Sequence, residues 1–111
     1  MAWLAKHRFA RIAPRKVRGV ADMIRKRDLQ DALNLLKLTH KRAAVFIEKV
    51  VASAAANANE KEADMNALYV SEIRVDEGPT MKRFRPKDRG RAHSILKRTC
   101  HISVKLEERA R

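Results

Sequence analysis

Residues 78–98 carry the side chains most able to do chemistry. They include eight basic residues and one acidic residue, Asp88. Lysine and arginine at this density neutralise closely spaced phosphates and release the counterions around a polyanion. Arg83 and Arg85 fall on one face of an extended chain and Lys82 on the other, so neither face suits a protein core. The segment is therefore either a solvated loop or lies along a polyanion. Its bases are Lys82, Arg83, Arg85, Lys87, Arg89, Arg91, Lys97 and Arg98.

The sequence around this basic segment predicts a two-stranded ribbon. Strand-like runs flank it at residues 68–75 and 99–106. Pro86, Asp88 and Gly90 are residue types that favour turns, so the two strands are expected to join there. At about 3.3 Å per residue, such a ribbon would project roughly 30 Å.

The composition of the whole chain favours a nucleic-acid partner. The 111 residues have a net charge of +13 and a hydrophobic content of 45%, enough for one small core. A domain this basic usually binds an acidic polymer. Aromatic residues make up only 5% of the chain, so base stacking is not expected to be its main binding mode. The single cysteine, Cys100, excludes an internal disulfide and fits a reducing compartment.

Enzymatic, metal-binding and membrane-spanning functions find no support in the sequence. The four histidines have no cysteine or carboxylate at ligand spacing, and no glycine-rich phosphate loop is present. Residues 43–58 are the longest mostly apolar stretch, but Glu48 and Lys49 interrupt them. The first residues lack the apolar run of a signal peptide. We therefore expect no catalytic residue, no metal, no cofactor and no membrane contact.

The first half of the chain predicts one strand and three helices. Residues 3–12 alternate weakly as an edge strand, with Trp3, Ala5, His7 and Phe9 on one face. Pro14 suits the first turn of a helix. Asp28 is expected to cap a second helix with a buried stripe of Leu29, Leu33 and Leu36. A third helix begins near Thr39 or His40, and its buried positions are Ala43, Ala44, Ile47, Val50, Val51, Ala54, Ala55 and Ala58.

The second half predicts an acidic loop and two core strands. Residues 57–66 are expected to form the end of the third helix and a surface loop, and their acids Glu60, Glu62 and Asp64 are expected to face away from the polyanion. The next strand changes phase, and a bulge near Ser71-Glu72 would return both of its apolar pairs to the core. In the last strand, Cys100, Ile102, Val104 and Leu106 alternate with polar residues, which makes Cys100 a core thiol. Residues 107–111 are expected to fray.

Several motifs, in this order and spacing, resemble bacterial large-subunit ribosomal proteins of the L22 family. The resemblance covers essentially the whole chain. Each motif alone is weak, whereas the ordered set is specific. The motifs are Ala5-Lys6-His7-Arg8, Pro14-Arg15-Lys16-Val17-Arg18, Ser53-Ala54-Ala55-Ala56-Asn57-Ala58, Val75-Asp76-Glu77-Gly78-Pro79, Met81-Lys82-Arg83, Gly90-Arg91-Ala92 and Ile95-Leu96-Lys97-Arg98-Thr99-Cys100-His101-Ile102.

The resemblance implies an α+β fold with three helices packed on a three-stranded antiparallel sheet and a long protruding β-hairpin. It implies one domain over residues 1–111, with the basic hairpin at about 78–98. The implied role is structural: the body binds 23S rRNA beside neighbouring large-subunit proteins and supports assembly. The hairpin tip lines the exit tunnel, contacts the nascent peptide and affects the macrolide response. The implied location is the cytoplasmic ribosome.

Charge and resemblance together predict the residues that meet RNA. The predicted tunnel tip consists of Met81, Lys82, Arg83, Pro86, Lys87, Asp88, Arg89, Gly90 and Arg91. The predicted rRNA-binding residues are Lys6, His7, Arg8, Arg11, Arg15, Lys16, Arg18, Lys82, Arg83, Arg85, Lys87, Arg89, Arg91, His93, Lys97 and Arg98.

Two other classes of protein share parts of this pattern. A nucleoid architectural protein could place basic β-arms in a DNA minor groove with Pro86 as a wedge, but that design usually needs a dimeric core. A membrane-surface protein would need large apolar residues opposite lysines on a helix. The third helix offers mostly alanine on that face, which argues against it.

Overall fold

A computed structural model describes residues 2–87 and 91–109. Within them the chain forms three helices and five strands, none of the helices being long and apolar enough to cross a membrane. The elements in order are β1 Ala2–Ala10, α1 Pro14–Ile24, α2 Leu29–Leu38, α3 Arg42–Glu60, β2 Leu68–Glu77, β3 Met81–Lys87, β4 Arg91–Lys97 and β5 Cys100–Glu108.

The strands form two separate sheets. β1, β5 and β2 make a three-stranded antiparallel sheet in that order, with β5 in the centre and β1 at an edge. The three helices pack on this sheet, which confirms the predicted α+β fold. Within residues 2–87 and 91–109, β3 and β4 pair only with each other, in register from Met81↔Lys97 to Lys87↔Arg91. We call this pair the ribbon. The turn predicted at residues 86–90 stays a prediction, since 88–90 lie outside the described residues.

The third helix supplies the centre of the core, as its periodicity predicts. All eight predicted positions are buried, and Ile47, Val51, Ala54 and Ala58 are fully inaccessible. Alanine along this face brings the backbone of α3 close to β1 and α2. The helix begins at Arg42 rather than at Thr39 or His40, two or three residues later than predicted. In α2, Leu29 and Leu36 are buried, while Leu33 is half-buried and Ala32 completes the stripe.

The two inner strands follow the predicted pattern. The pairing of β2 with β5 shifts between Val70 and Glu72, so the extra residue falls at Ser71, where the sequence predicts a bulge. This bulge brings both Val70 and Ile73 into the core. In β5 the predicted alternation is complete, and Cys100 is fully buried. Burial raises the pKa of the Cys100 thiol, only partly opposed by the charge of Arg18, and keeps the thiol protonated.

The outer strand departs from its predicted alternation at Phe9. The pairing of β1 with β5 shifts between His7 and Ala10, and Phe9 takes the left-handed backbone conformation at φ 57°. This bulge returns Ala10 to the core and leaves Phe9 58% exposed, so the prediction that Phe9 shares one face with Trp3, Ala5 and His7 is wrong. A bulky residue at positive φ costs about 1–3 kcal/mol, which the rest of the fold must offset.

Residues 107–109 are held in place where the sequence predicts fraying, whereas 110 and 111 lie outside the described residues. β5 continues through Glu108, and the Arg109 amide donates to the Ala67 carbonyl at 2.7 Å. The Arg109 guanidinium donates from Nε to the Asp28 carboxylate at 2.7 Å and lies 4.4 Å from the centre of the Tyr69 ring. Asp28 does occupy the position before α2, but its carboxylate makes no capping hydrogen bond there. A contact between residues 81 apart has thus replaced the predicted local cap.

The ribbon makes the molecule elongated. The radius of gyration is 17.1 Å and the principal extents are 67 × 23 × 17 Å. A compact chain of this length would have a radius of gyration of about 13 Å. Within the described residues, β3 and β4 contact each other far more than they contact any helix or the three-stranded sheet.

A tight joint connects the sheet to the ribbon at Gly78. The Gly78 amide donates to the Thr99 carbonyl at 3.0 Å, and the Thr99 hydroxyl donates to the Pro79 carbonyl at 2.6 Å. A Cβ added to Gly78 would lie only 2.5 Å from Thr99 Oγ1 and 3.3 Å from the Thr99 carbonyl carbon. Any side chain at this position must therefore push the two chains apart.

We expect Gly78→Ala to lower the free energy of unfolding by about 1–3 kcal/mol, because overpacking forces a shift at this joint. Gly19→Ala is the matched control, since nothing lies within 4 Å of a Cβ there. Alanine in the interior of α1 should stabilise the protein by about 0.5–1 kcal/mol. Urea unfolding of both variants measures the difference, and equal effects would show that the joint is not tight.

Candidate nucleic-acid interface

A cationic depression of about 580 Å³ lies where the ribbon meets the body. The loop after β1, the first turn of α1, the start of α3 and both limbs of the ribbon line it. Among the described residues that line it there is no carboxylate. Its charged residues are Arg11, Lys16, Arg42, Arg83, Lys97 and Arg98.

A second depression, of about 750 Å³, adjoins the first. The two share Ala13, Lys16 and Arg98, and the second adds Arg15 and Arg18. Of the described residues in its lining, Glu77 is the single acid. We call the two depressions together the basic groove. Its surplus of lysine and arginine makes it a binding surface for a polyanion.

The amino end of α1 adds to the positive potential of the basic groove. Pro14 fixes the start of the helix, as predicted, and the first turn contains no acidic residue. The aligned peptide dipoles place partial positive charge at this end, next to Arg15 and Lys16. In the free protein those two cations oppose the dipole. A phosphate in the groove would interact favourably with both the cations and the dipole.

A smaller basic depression, of about 260 Å³, lies on the side of β1 that faces α3. Lys6, His7 and Arg8 line it together with Lys49. The His7 ring centre is 5.6 Å from that of Phe46, so this half-buried histidine packs against α3 as well. The predicted residues of β1 therefore form a separate cluster and do not line the basic groove.

Arg18 braces the fold in addition to lining the groove. Its guanidinium donates to the Val75 carbonyl at 3.1 Å, which joins α1 to β2. The side chain remains exposed, and one hydrogen bond uses only part of the donor capacity of a guanidinium. Arg18 can therefore hold the sheet and meet a phosphate at the same time.

Two basic residues of these depressions were missed in the sequence. Arg42 begins α3 and lies 5.4 Å from the centre of the Phe46 ring, and Lys49 follows two turns later. A signal for Arg42 exists in the run His40-Lys41-Arg42, to which no role was assigned from the sequence. Lys49 has no such signal, because its place beside β1 depends on how α3 packs.

The remaining predicted residues lie on the ribbon. Lys82 and Arg83 are exposed, and Met81 is half-buried at the base. The structure describes only the backbone of Arg85, Pro86, Lys87, Arg91 and His93, which lie in the paired strands. Asp88, Arg89 and Gly90 lie outside the described residues. All these assignments to the tip and to rRNA stay predictions.

Two acidic residues, Glu60 and Glu62, are separated from the basic groove by the length of α3. This helix runs 19 residues from Arg42 at the groove to Glu60, about 27 Å at 1.5 Å per residue. Exposed Glu60 and Glu62 lie at that far end. Positive charge is thus concentrated at the start of α3 and negative charge at its end. A polyanion at the groove would meet little repulsion from these acids.

Comparison with protein families gives a match over most of the chain. Residues 5–107, almost its full length, match the family model described as ribosomal protein L22p/L17e. The matched segment contains the basic groove, the cluster on β1 and both limbs of the ribbon.

Proposed function

The chain belongs to the ribosomal protein L22p/L17e family and is a structural, non-enzymatic component of the large ribosomal subunit; from this premise we propose that the basic groove anchors the body on 23S rRNA while the ribbon lines the peptide exit tunnel. In this role the protein assembles with rRNA and neighbouring large-subunit proteins. The nascent peptide is the proposed partner at the ribbon tip.

The observation that carries this proposal is the position of the basic groove at the joint between body and ribbon. Cations from the loop after β1, from α1, from α3 and from both ribbon limbs converge there. A polyanion bound in the groove would therefore hold the base of the ribbon against the body. Contacts of this kind recognise the phosphate backbone and its shape rather than base sequence.

The dimensions of the ribbon suit passage between rRNA helices. Each described limb has seven residues, which span about 23 Å at 3.3 Å per residue. The paired strands satisfy each other's backbone groups along their inner edges, and the groups on their outer edges remain available to water or RNA. A narrow ribbon of this kind reaches places that a globular surface cannot enter.

We test the separation of anchoring from tunnel lining by shortening the ribbon. Phe84 and Ser94 are directly paired, so replacing residues 85–93 with Asn-Gly leaves a two-residue hairpin turn in register. The free variant should melt at the temperature of the original protein, because the ribbon packs on itself. It should still enter large subunits, whose chemical footprint on the tunnel wall should be lost.

Deletion of Met81, Lys82 and Arg83 is a matched perturbation of the same ribbon. Removing three residues, an odd number, forces the rest of β3 either to exchange faces or to lose its register with β4. One limb also shortens by about 10 Å. The tunnel footprint should move rather than disappear. A footprint unchanged in both variants, or an unfolded body in the first, would contradict the proposal.

A further inference from the structure

Phe9 is an exposed aromatic side chain that neither the core nor the basic groove uses. Regular alternation along β1 would place it beside His7 on the face that packs against α3. The bulge between His7 and Ala10 instead turns Phe9 outward, at φ 57° and 58% exposed. A bulky side chain in this conformation is uncommon, and such outliers concentrate at binding sites.

His101 fixes the orientation of the Phe9 ring. The Phe9 amide donates to His101 Nδ1 at 3.0 Å, so the proton of the neutral imidazole lies on Nε2. The two rings meet edge to face, with centres 4.9 Å apart and planes at 85°. The edge contact with His101 leaves much of the ring uncovered, and Phe9 is 58% exposed, so part of the ring surface is open to solvent. The ring is therefore both held and available.

The charges around this ring favour an RNA strand on the β1 side. Arg8 and Arg11 flank Phe9 in sequence, and both are exposed. Arg11 also lines the basic groove, and two residues of extended chain span at most about 7 Å. Asp76 is paired with His101 on the opposite side, where it would repel phosphates. A strand leaving the groove past Arg11 would therefore bring its next bases to Phe9.

We propose that the exposed surface of the Phe9 ring is a stacking site for one unpaired base of the RNA that the basic groove holds. The inference rests on the proposed rRNA binding and adds a specific contact to it. Every nucleobase has a π-face, so the site takes an unstacked base without requiring a particular sequence. The bulge and the His101 contacts orient the ring before RNA binds, which lowers the conformational entropy lost on binding.

The test compares two single-stranded probes of equal length, oligoadenylate and its abasic counterpart. Phe9→Leu should weaken binding to oligoadenylate by about 5- to 150-fold, the range for loss of one stacked base, and leave binding to the abasic strand unchanged. Phe9→Tyr keeps the ring and should restore the original affinity. The salt dependence should be the same in all variants, since no phosphate contact changes.

Leu4→Ala is the matched control, because Leu4 is a 60% exposed apolar residue on the same strand. It should leave binding to both probes unchanged. Thermal melting checks that each variant is folded. An equal loss on both probes, or no loss with Phe9→Leu, would overturn the stacking site. Failure of the rRNA proposal would look different: the original protein itself would bind without a steep salt dependence.

Discussion

Replacing Arg11, Lys16, Lys97 and Arg98 with alanine is expected to remove about three units from the slope of log affinity for 23S rRNA against log salt concentration. All four side chains line the basic groove, and they come from the loop after β1, from α1 and from the base of the ribbon. Each neutralised phosphate contributes about 0.7 to 0.9 to this slope, because each contact releases condensed counterions. At 0.1 M salt the same loss amounts to roughly a thousandfold in affinity.

A control variant with the same change in net charge separates the groove from the charge of the whole protein. Its four alanines replace cations that lie outside the basic groove. One is on α2, one follows α3, and two are on the face of the three-stranded sheet that points away from the helices. They are Lys37, Lys61, Arg74 and Lys105. The control should keep nearly the full slope at moderate salt, where charges more than about 10 Å from the RNA are screened. Equal losses in the two variants would mean that RNA binds through overall charge and not in the groove.

Ile47→Ala is expected to lower the free energy of unfolding by about 2–5 kcal/mol. Ile47 is 0% exposed in the middle of α3, which packs against β1, β5 and both other helices. Its truncation removes buried methyl groups, and its neighbours one turn away on the same face, Ala43, Ala44, Val50 and Val51, are too small to fill the space. A cavity therefore adds to the lost burial. Small domains have only about 5–15 kcal/mol of stability in total, so this change is large.

Two further substitutions, one at Ile47 and one at the nearby Val45, provide reference values for the loss of stability. Ile47→Val removes a single methylene and should cost about 0.5–1.5 kcal/mol. Val45 lies two residues earlier and is 52% exposed, so Val45→Ala should change stability by no more than about 0.5 kcal/mol. Denaturant unfolding followed by circular dichroism gives all three values. A cost below about 0.5 kcal/mol for Ile47→Ala would show that α3 presents a different face to the core.

Local periodicity was sufficient to predict which residues are buried in those helices and strands that pack one regular face against the core. The buried face of α3 follows from three- and four-residue spacing, because residues one turn apart must share a side of the helix. The bulge at Ser71 follows from the phase change between Val70 and Ile73, since strand side chains alternate with period two. The family resemblance was also visible in the motif order, and the match over residues 5–107 confirms the family; the bacterial branch stays a prediction.

The sequence by itself thus determined the elements, the buried stripes, the excess of positive charge and the family. Only the tertiary structure decided which cations share a groove, why Phe9 faces outward, and how Arg109 anchors the end of β5. Periodicity reports on neighbours within a turn or two of the same element. The groove, the bulge opposite His101 and the Asp28–Arg109 ion pair each depend on residues brought together from distant parts of the chain, whose positions are set by how whole elements pack.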